Sequence, residues 1–337
     1  MAKSYRNMSD VRMEKTLGDF VRWQRERLRK RKDLSFVVPQ VQSVDTAYLR
    51  ANRTEPALVW IGHSSFLIQL GGLHIVTDPV WANRMGFGRR LAPPGLLPSD
   101  LPDVDVALIS HSHYDHLHLR SLRRLPGSPE ILVPEGLRSY LERKGFRRVR
   151  ELGWWRSVRI GAVEFAFVPA QHWTRRTLWD MNRSHWGGWV MKPAGHDSAG
   201  SPTVYFAGDS GYFPGFRQIG EKFDVDCALM PIGAYEPEWF MGPQHVTPEE
   251  AVQAFLDVGA WWFVPMHYGA FRLADDTPKE ALDRLRAAWK AHGLEDERLR
   301  ILKLGEIWRL PPVKRKADGA ESGDRPPVLQ SAIPSRN

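Results

Sequence analysis

Three histidines and an aspartate crowd into the six residues His111-Ser112-His113-Tyr114-Asp115-His116, one residue after the apolar run 104–109. Imidazole nitrogen and carboxylate oxygen, without thiolate, form a donor set suited to zinc or a similar borderline divalent ion. Alternation puts His111 and His113 on one side of an extended turn and leaves Asp115 and His116 for a neighbouring position. Histidines that only cap backbone groups have no reason to occur at this density, so the stretch reads as a metal site.

Three further apolar runs end in metal-competent residues. Residues 158–168 lead through Pro169-Ala170-Gln171 to His172, residues 203–207 lead to Gly208-Asp209, and residues 261–265 lead to Met266-His267. A lone histidine is usually structural, but repetition at strand ends, behind a dense primary motif, points to ligands converging on one edge. The chain then offers seven ligands: His111, His113, Asp115, His116, His172, Asp209 and His267. That is too many for one tetrahedral ion and right for two ions sharing a carboxylate. His111, His113 and His172 are expected on one ion, Asp115, His116 and His267 on the other, and Asp209 between them. The expected cofactor is two divalent metal ions, Zn2+ by ligand preference.

The elements that must carry these residues follow from periodicity. Leu58 to Leu70 and Leu73 to Thr77 flank Gly71-Gly72, a strong hairpin signal. Further strands are expected at 104–109, 131–133, 158–168, 186–191, 203–207, 225–232, 261–265 and 301–310, with helices at 119–125 and 135–144. Thr247-Pro248-Glu249-Glu250 and Thr277-Pro278-Lys279-Glu280 each open a helix with a cap and a proline at the first position. Runs of strands with sparse helices are not the alternation of a doubly wound sheet. They fit an α/β (α+β) sandwich of two mixed sheets, helices outside, over residues 34–312. Residues 34–55 read as a connector and 80–103 as a long functional loop. Residues 313–337, charged and proline-rich, read as a disordered tail.

The net charge is +8, but residues 1–32 carry +7, residues 313–337 carry +2, and the body between carries −1. A nuclease would place its basic stripe on the folded body beside the site, so no nucleic-acid partner is expected. Residues 1–33 form a basic helical segment, with Ser9 as its cap and Leu17, Phe20, Val21, Gln24 and Leu28 at helical spacing. The stretch Arg22–Lys32 can lie on an anionic membrane surface or remain a solvated helix. The single cysteine, Cys227, rules out an internal disulfide and fits a reducing compartment. No signal-peptide or bilayer-spanning run is present, so a cytoplasmic protein, peripheral to membranes at most, is expected.

The order of these motifs resembles the metallo-β-lactamase superfamily, over roughly Leu58 to Leu310. The resemblance implies an αββα sandwich with a dinuclear site at one edge of the sheets. True β-lactamases often place a cysteine on the second ion; here Asp115-His116 takes that place, which favours phosphodiester-type chemistry over antibiotic hydrolysis. A narrower resemblance is to the N-acylphosphatidylethanolamine-hydrolysing phospholipase D group. It rests on Ile109 to Leu117, Pro169-Ala170-Gln171-His172-Trp173, Tyr205 to Tyr212, and above all Pro231-Ile232-Gly233-Ala234-Tyr235-Glu236-Pro237, Trp239-Phe240-Met241, Gln244-His245-Val246 and Pro248 to Ala251. It implies a zinc-dependent phosphodiesterase that releases N-acylethanolamine and phosphatidic acid, a metal-bridging hydroxide attacking phosphorus.

On that reading Tyr114 and His245 contact the phospholipid substrate. His245 donates a proton or hydrogen bond, and Asp115 is both ligand and acceptor of a proton from the attacking water. Asp78 is expected to orient a ligating imidazole from behind. His63 is expected near the site but not as a ligand. Trp173, Trp179, Met181, Trp186, Trp239, Phe240 and Met241 can line an acyl groove or belong to the core. The competing reading is a generic intracellular hydrolase of the same fold, acting on a lactone or a soluble phosphodiester. A diiron oxygen or sulfur enzyme also suits histidine and carboxylate ligands.

Overall fold

A computed structural model describes residues 3–313 apart from 10, 12, 14, 87 and 195–199. The tail expected at 313–337 therefore lies, beyond its first residue, outside the described residues. The first large sheet is built from β1 (Ala57–Gly62), β2 (Ser65–Leu70), β3 (Leu73–Thr77), β6 (Val106–Leu108), β7 (Glu130–Pro134), β8 (Val149–Leu152) and β15 (Ile307–Arg309). Its order is β15-β1-β2-β3-β6-β7-β8, antiparallel up to β3 and parallel from β3 onward. The second comprises β9 (Arg156–Ile160), β10 (Val163–Val168), β11 (Gly188–Pro193), β12 (Val204–Phe206), β13 (Cys227–Pro231) and β14 (Trp262–Met266). It runs β14-β13-β12-β11-β10-β9, parallel only among β12, β13 and β14. A small hairpin, β4 (Arg84–Met85) and β5 (Gly88–Arg89), stands apart in the loop 80–103.

Period-2 alternation sets the layers. Leu58 and Trp60 point inward and pack in one core with Phe165, Phe167, Trp189 and Phe206 of the second sheet. Val59 and Ile61 point to the opposite face of the first sheet, into a separate core with Leu49, Leu122 and Leu141. Those three come from α2 (Thr46–Ala51), α3 (Leu119–Leu122) and α4 (Arg138–Arg143). The outer face of the second sheet is covered by α7 (Pro248–Val258) and α8 (Pro278–Ala291), whose Phe255, Leu285 and Trp289 join the central core. The result is an αββα sandwich, as expected.

Both expected helix starts hold. Thr247 and Glu250 exchange the two hydrogen bonds of a capping box, and Thr277 caps α8. Several boundaries differ. The run 58–70 is two strands, because Gly62 and His63 take positive φ (129° and 56°) and turn the chain at Ser64. The final strand is only Ile307–Arg309, and α1 is Leu17–Arg29. Its cap is Thr16, boxed with Asp19, rather than Ser9. Elements that the sequence does not announce are α2 in the connector, the β4–β5 hairpin in the loop 80–103, β8, α5 (Gly215–Lys222) and α6 (Glu238–Met241).

α1 buries none of its residues fully. Trp23 stacks on Phe240 at 4.9 Å and donates to Asp275, while Trp239 donates to Glu26. The opposite face shows Leu17 and Leu28 to solvent at 80% and 87% exposure. Among the described residues no helix is long and apolar enough to cross a membrane.

Candidate metal centre

The strand ends that carry chemistry meet at one edge of the sandwich. β6 delivers residues 111–116, β10 delivers His172, β12 delivers Asp209, β14 delivers His267, and β3 delivers Asp78. Gly208, at φ 65°, makes the turn into Asp209; a Cβ there would stand 2.8 Å from the Gly187 carbonyl and from Ser110.

Two groups of donor atoms result. His111 Nε2 and His172 Nε2 lie 2.9 and 3.2 Å from His113 Nδ1, a face of three imidazole nitrogens. Asp115 Oδ2 lies 3.4 Å from His116 Nε2 and 3.7 Å from His267 Nε2. Asp209 Oδ2 stands between the groups, 3.1 Å from His267, 3.2 Å from His116, and 4.0 Å from both His111 and His172. All seven expected residues are thus brought together, and His63 joins Asp115, His116 and His267 as a further candidate donor.

A hydrogen-bond network behind the centre sets which nitrogen faces inward. Buried Asp78 accepts from the Ser110 N–H at 2.7 Å, from the Ser110 hydroxyl at 2.6 Å and from His116 Nδ1–H at 2.7 Å. With its proton committed to Asp78, Ser110 Oγ can only accept from His111 Nδ1–H, at 2.9 Å. His172 Nδ1–H donates to the Gln244 carbonyl at 3.0 Å. Each of these three imidazoles is therefore held with its Nε2 lone pair toward the centre. Asp78 thus contacts His116 directly and His111 through Ser110.

The fit to a cation rests on what the protein leaves unpaired. Of the atoms that face the centre, His116 Nε2, His267 Nε2 and His245 Nδ1 are buried without a hydrogen-bond partner, as is Asp209 Oδ1. Each such group costs about 1–3 kcal/mol unless something satisfies it. Among the described residues, every cluster of histidine and carboxylate able to hold a metal lies here. Burial opposes charge on His267, yet Asp209 and Asp115 outweigh it and raise its pKa to about 9. Burial likewise opposes charge on His116, and the same carboxylates hold it well above the ordinary histidine value. Burial, then His113, pushes His172 down to about 3, and burial takes His113 to about 4. The two carboxylates thus demand positive charge at this spot, and divalent cations meet that demand with the proper donors.

His63 sits closer than expected: its Nε2 is 3.1 Å from Asp115 Oδ2 and its ring 4.2 Å from His267. Its φ of 56°, with 61° at His267 and 31° at Asp78, places three residues of the site in the left-handed region. His245 is buried with Nδ1 3.9 Å from Asp209, and burial takes its pKa down to about 3. Tyr114 stands half exposed on the rim, its hydroxyl donating to the Arg176 carbonyl at 2.9 Å. Arg176 is a residue that spacing did not mark. Its guanidinium lies 4.1 Å over the Tyr114 ring and donates to the Ser112 and Leu117 carbonyls, pinning the histidine loop.

Above the centre opens a cleft of about 340 Å³, with His113, Asp115, Asp209, His245 and His267 in its lining. Its apolar walls are Met85, Trp173, Ala234, Met241 and Leu273. Of the aromatic and methionine residues weighed for a groove, only Trp173 and Met241 line it. Trp186 is core, Trp239 and Phe240 pack under α1, and Trp179 is 86% exposed.

Comparison with known proteins agrees with this architecture. Residues 74–268 match the model of a beta-lactamase superfamily domain. N-acyl-phosphatidylethanolamine-hydrolyzing phospholipase D 1 of Caenorhabditis elegans is 36% identical over 270 residues, 74% of each chain. The mitochondrial enzyme of that name from Saccharomyces cerevisiae is 35% identical over 247 residues, 68% of this chain and only about half (51%) of its own length. An isothiocyanate hydrolase from Delia radicum gut bacteria shares the fold, with a TM-score of 0.62 at 20% identity, over 76% of this chain and 100% of that one. The chain belongs to the metallo-β-lactamase superfamily, with the histidine and aspartate clusters of a metal-dependent hydrolase.

Proposed function

We propose that this protein is a zinc-dependent phosphodiesterase of the phospholipase D type, which hydrolyses N-acylphosphatidylethanolamine to N-acylethanolamine and phosphatidic acid. The observation that carries the reading is the placement of a two-part donor cluster, joined by Asp209, at the floor of an apolar-walled cleft. A phosphodiester with acyl chains matches both halves of that description. The worm and yeast relatives, named for the same reaction, support it.

A pair of divalent ions would be held by His111, His113 and His172 and by Asp115, His116 and His267, and would supply Lewis acidity toward the phosphoryl oxygens and an activated water. Asp209 would fix the spacing of the two donor groups. Asp115, held well below the usual carboxylate range by His116 against the cost of burial, stays ionised for ligation and for accepting a proton. His245, kept neutral by burial, offers a ring N–H to a phosphate oxygen or to the leaving alkoxide. Tyr114 would contact the substrate from the rim.

Zinc-loaded protein is expected to release N-acylethanolamine from N-acylphosphatidylethanolamine in mixed micelles, and chelator-treated protein is not. Absence of release, with cleavage of a small phosphodiester or a lactone by the same sample, would replace the lipid assignment by the generic hydrolase reading.

The exposed stripe of α1 supports contact with an anionic membrane. Leu17, Phe20, Val21 and Leu28 share one face, with Arg22, Arg25 and Arg29 beside it. Replacing Leu17 and Leu28 by Ser should weaken binding to phosphatidylserine vesicles about 30-fold, since interfacial burial of each leucine contributes of order 1 kcal/mol. Sedimentation with vesicles over a salt series measures this. Binding equal to the parent would mean that α1 does not touch lipid.

A further inference from the structure

The N-terminal residues lie outside every motif that marks the centre, yet residues 5–9 run along its His172 side. Asn7 grips a single residue at two points. Its Nδ2 donates to the His172 carbonyl at 3.0 Å, and its Oδ1 accepts the His172 N–H at 3.0 Å. The same Oδ1 accepts from Trp186 Nε1 at 3.0 Å, so the amide is oriented by a core indole. Next along the chain, Ser9 donates to Gln171 Oε1 at 2.9 Å, and Gln171 Nε2 donates onward to the Tyr212 and Pro243 carbonyls. Tyr5 secures the other end: its N–H donates to the Asn182 carbonyl at 2.9 Å and its ring lies 4.4 Å from that of His185.

This matters because His172 has left the ladder of β10 when it reaches the centre. A side-chain amide presents one donor and one acceptor in the geometry of a peptide group, so Asn7 acts there as a one-residue strand. Ligand atoms must be held within a few tenths of an ångström to bind a metal well, and a ligand on a loop keeps such placement only if its backbone is fixed. The Nδ1 contact with Gln244 sets the ring of His172; Asn7 sets its backbone.

We propose that Asn7 is a positioning residue of the metal centre, and that the strap of residues 3–9 completes the His111/His113/His172 face by clamping the His172 backbone. The proposal rests on the reading of that face as a metal site. Full-length protein is titrated with zinc against a chromophoric chelator, and the cobalt(II) form is examined by absorption spectroscopy. Asn7→Ala should lose about 10- to 100-fold in affinity for one ion of the pair and change the cobalt spectrum. Asn7→Asp, which keeps the acceptor for His172 and Trp186 but loses the donor, should fall between. Met8→Ala, an exposed change in the same strap, should match the parent. Thermal melting and circular dichroism of each variant separate loss of the site from loss of the fold. Parental affinity and spectrum in Asn7→Ala would overturn the clamp while leaving the metal reading in place. An equal loss in Met8→Ala would also overturn it, by showing that any loosening of the strap suffices. Parent protein that takes up no zinc would overturn the metal reading itself.

Discussion

Asp209→Asn should leave the fold standing and abolish most of the activity. Asp209 Oδ2 is the atom nearest to both donor groups, 3.1 and 3.2 Å from His267 and His116, and 4.0 Å from His111 and His172. An amide in its place offers a neutral oxygen or an N–H, and neither can draw two cations together. The same change removes the charge that holds His267 and His116 protonated without metal, so both imidazoles relax toward neutrality. Several kcal/mol of charge stabilisation depends on the ion pair, which at 1.36 kcal/mol per decade corresponds to a loss of roughly 10³-fold in kcat. Metal content by atomic absorption should fall well below that of the parent, with circular dichroism unchanged. Full metal content with parental turnover would show that Asp209 does not bridge the two groups.

How much of this centre is legible in the sequence depends on how local each signal is. Residues 111–116 declare themselves because ligand density in six residues has no structural excuse. His172, Asp209 and His267 are legible by position, each following an apolar run that becomes a strand of the second sheet. The helix starts at Thr247 and Thr277 are legible because an N-cap bond spans only three residues, reciprocated as a capping box at Thr247. Thr16 and Asp19 carry the same signal for α1, but the apolar spacing extends upstream of them and points to Ser9 instead.

What escapes is whatever depends on a single residue meeting a distant partner. Asn7 and His172 are 165 positions apart, and one asparagine carries no pattern. Arg176 anchors the histidine loop from 64 positions away through carbonyls, which any sequence supplies. The break between β1 and β2 needs positive φ at His63, and a non-glycine residue gives little warning of it. The strap also changes the view of residues 1–33. Its helix is docked by aromatic and carboxylate contacts beside the cleft, and its first residues touch a candidate ligand.

The second large effect should come from Asp78, which lies behind the imidazoles it orients. Asp78 is fully buried and gathers three donors: the Ser110 N–H, the Ser110 hydroxyl and His116 Nδ1–H. Asp78→Ala leaves all three unpaired in the interior and puts alanine at a φ of 31°, so a loss of about 3–5 kcal/mol and a Tm lower by roughly 5–8 °C are expected. Asp78→Asn separates stability from function. Its carbonyl can keep the Ser110 N–H, and its amide then replaces the oxygen that faced the hydroxyl and the imidazole. That amide must donate to both. His116 is forced to accept at Nδ1 and carry its proton on Nε2, toward the centre. Ser110, now an acceptor from the amide, turns its hydroxyl to His111 Nδ1 and drives that ring to the same tautomer. Two ligands are blocked by one proton rearrangement, with little change in volume or packing. Zinc affinity should fall about 100-fold while Tm drops far less than in Asp78→Ala, a split that chelator competition and thermal melting measure on the same samples. Parental zinc affinity in Asp78→Asn would mean that His111 and His116 take their inward-facing lone pairs from something other than this carboxylate.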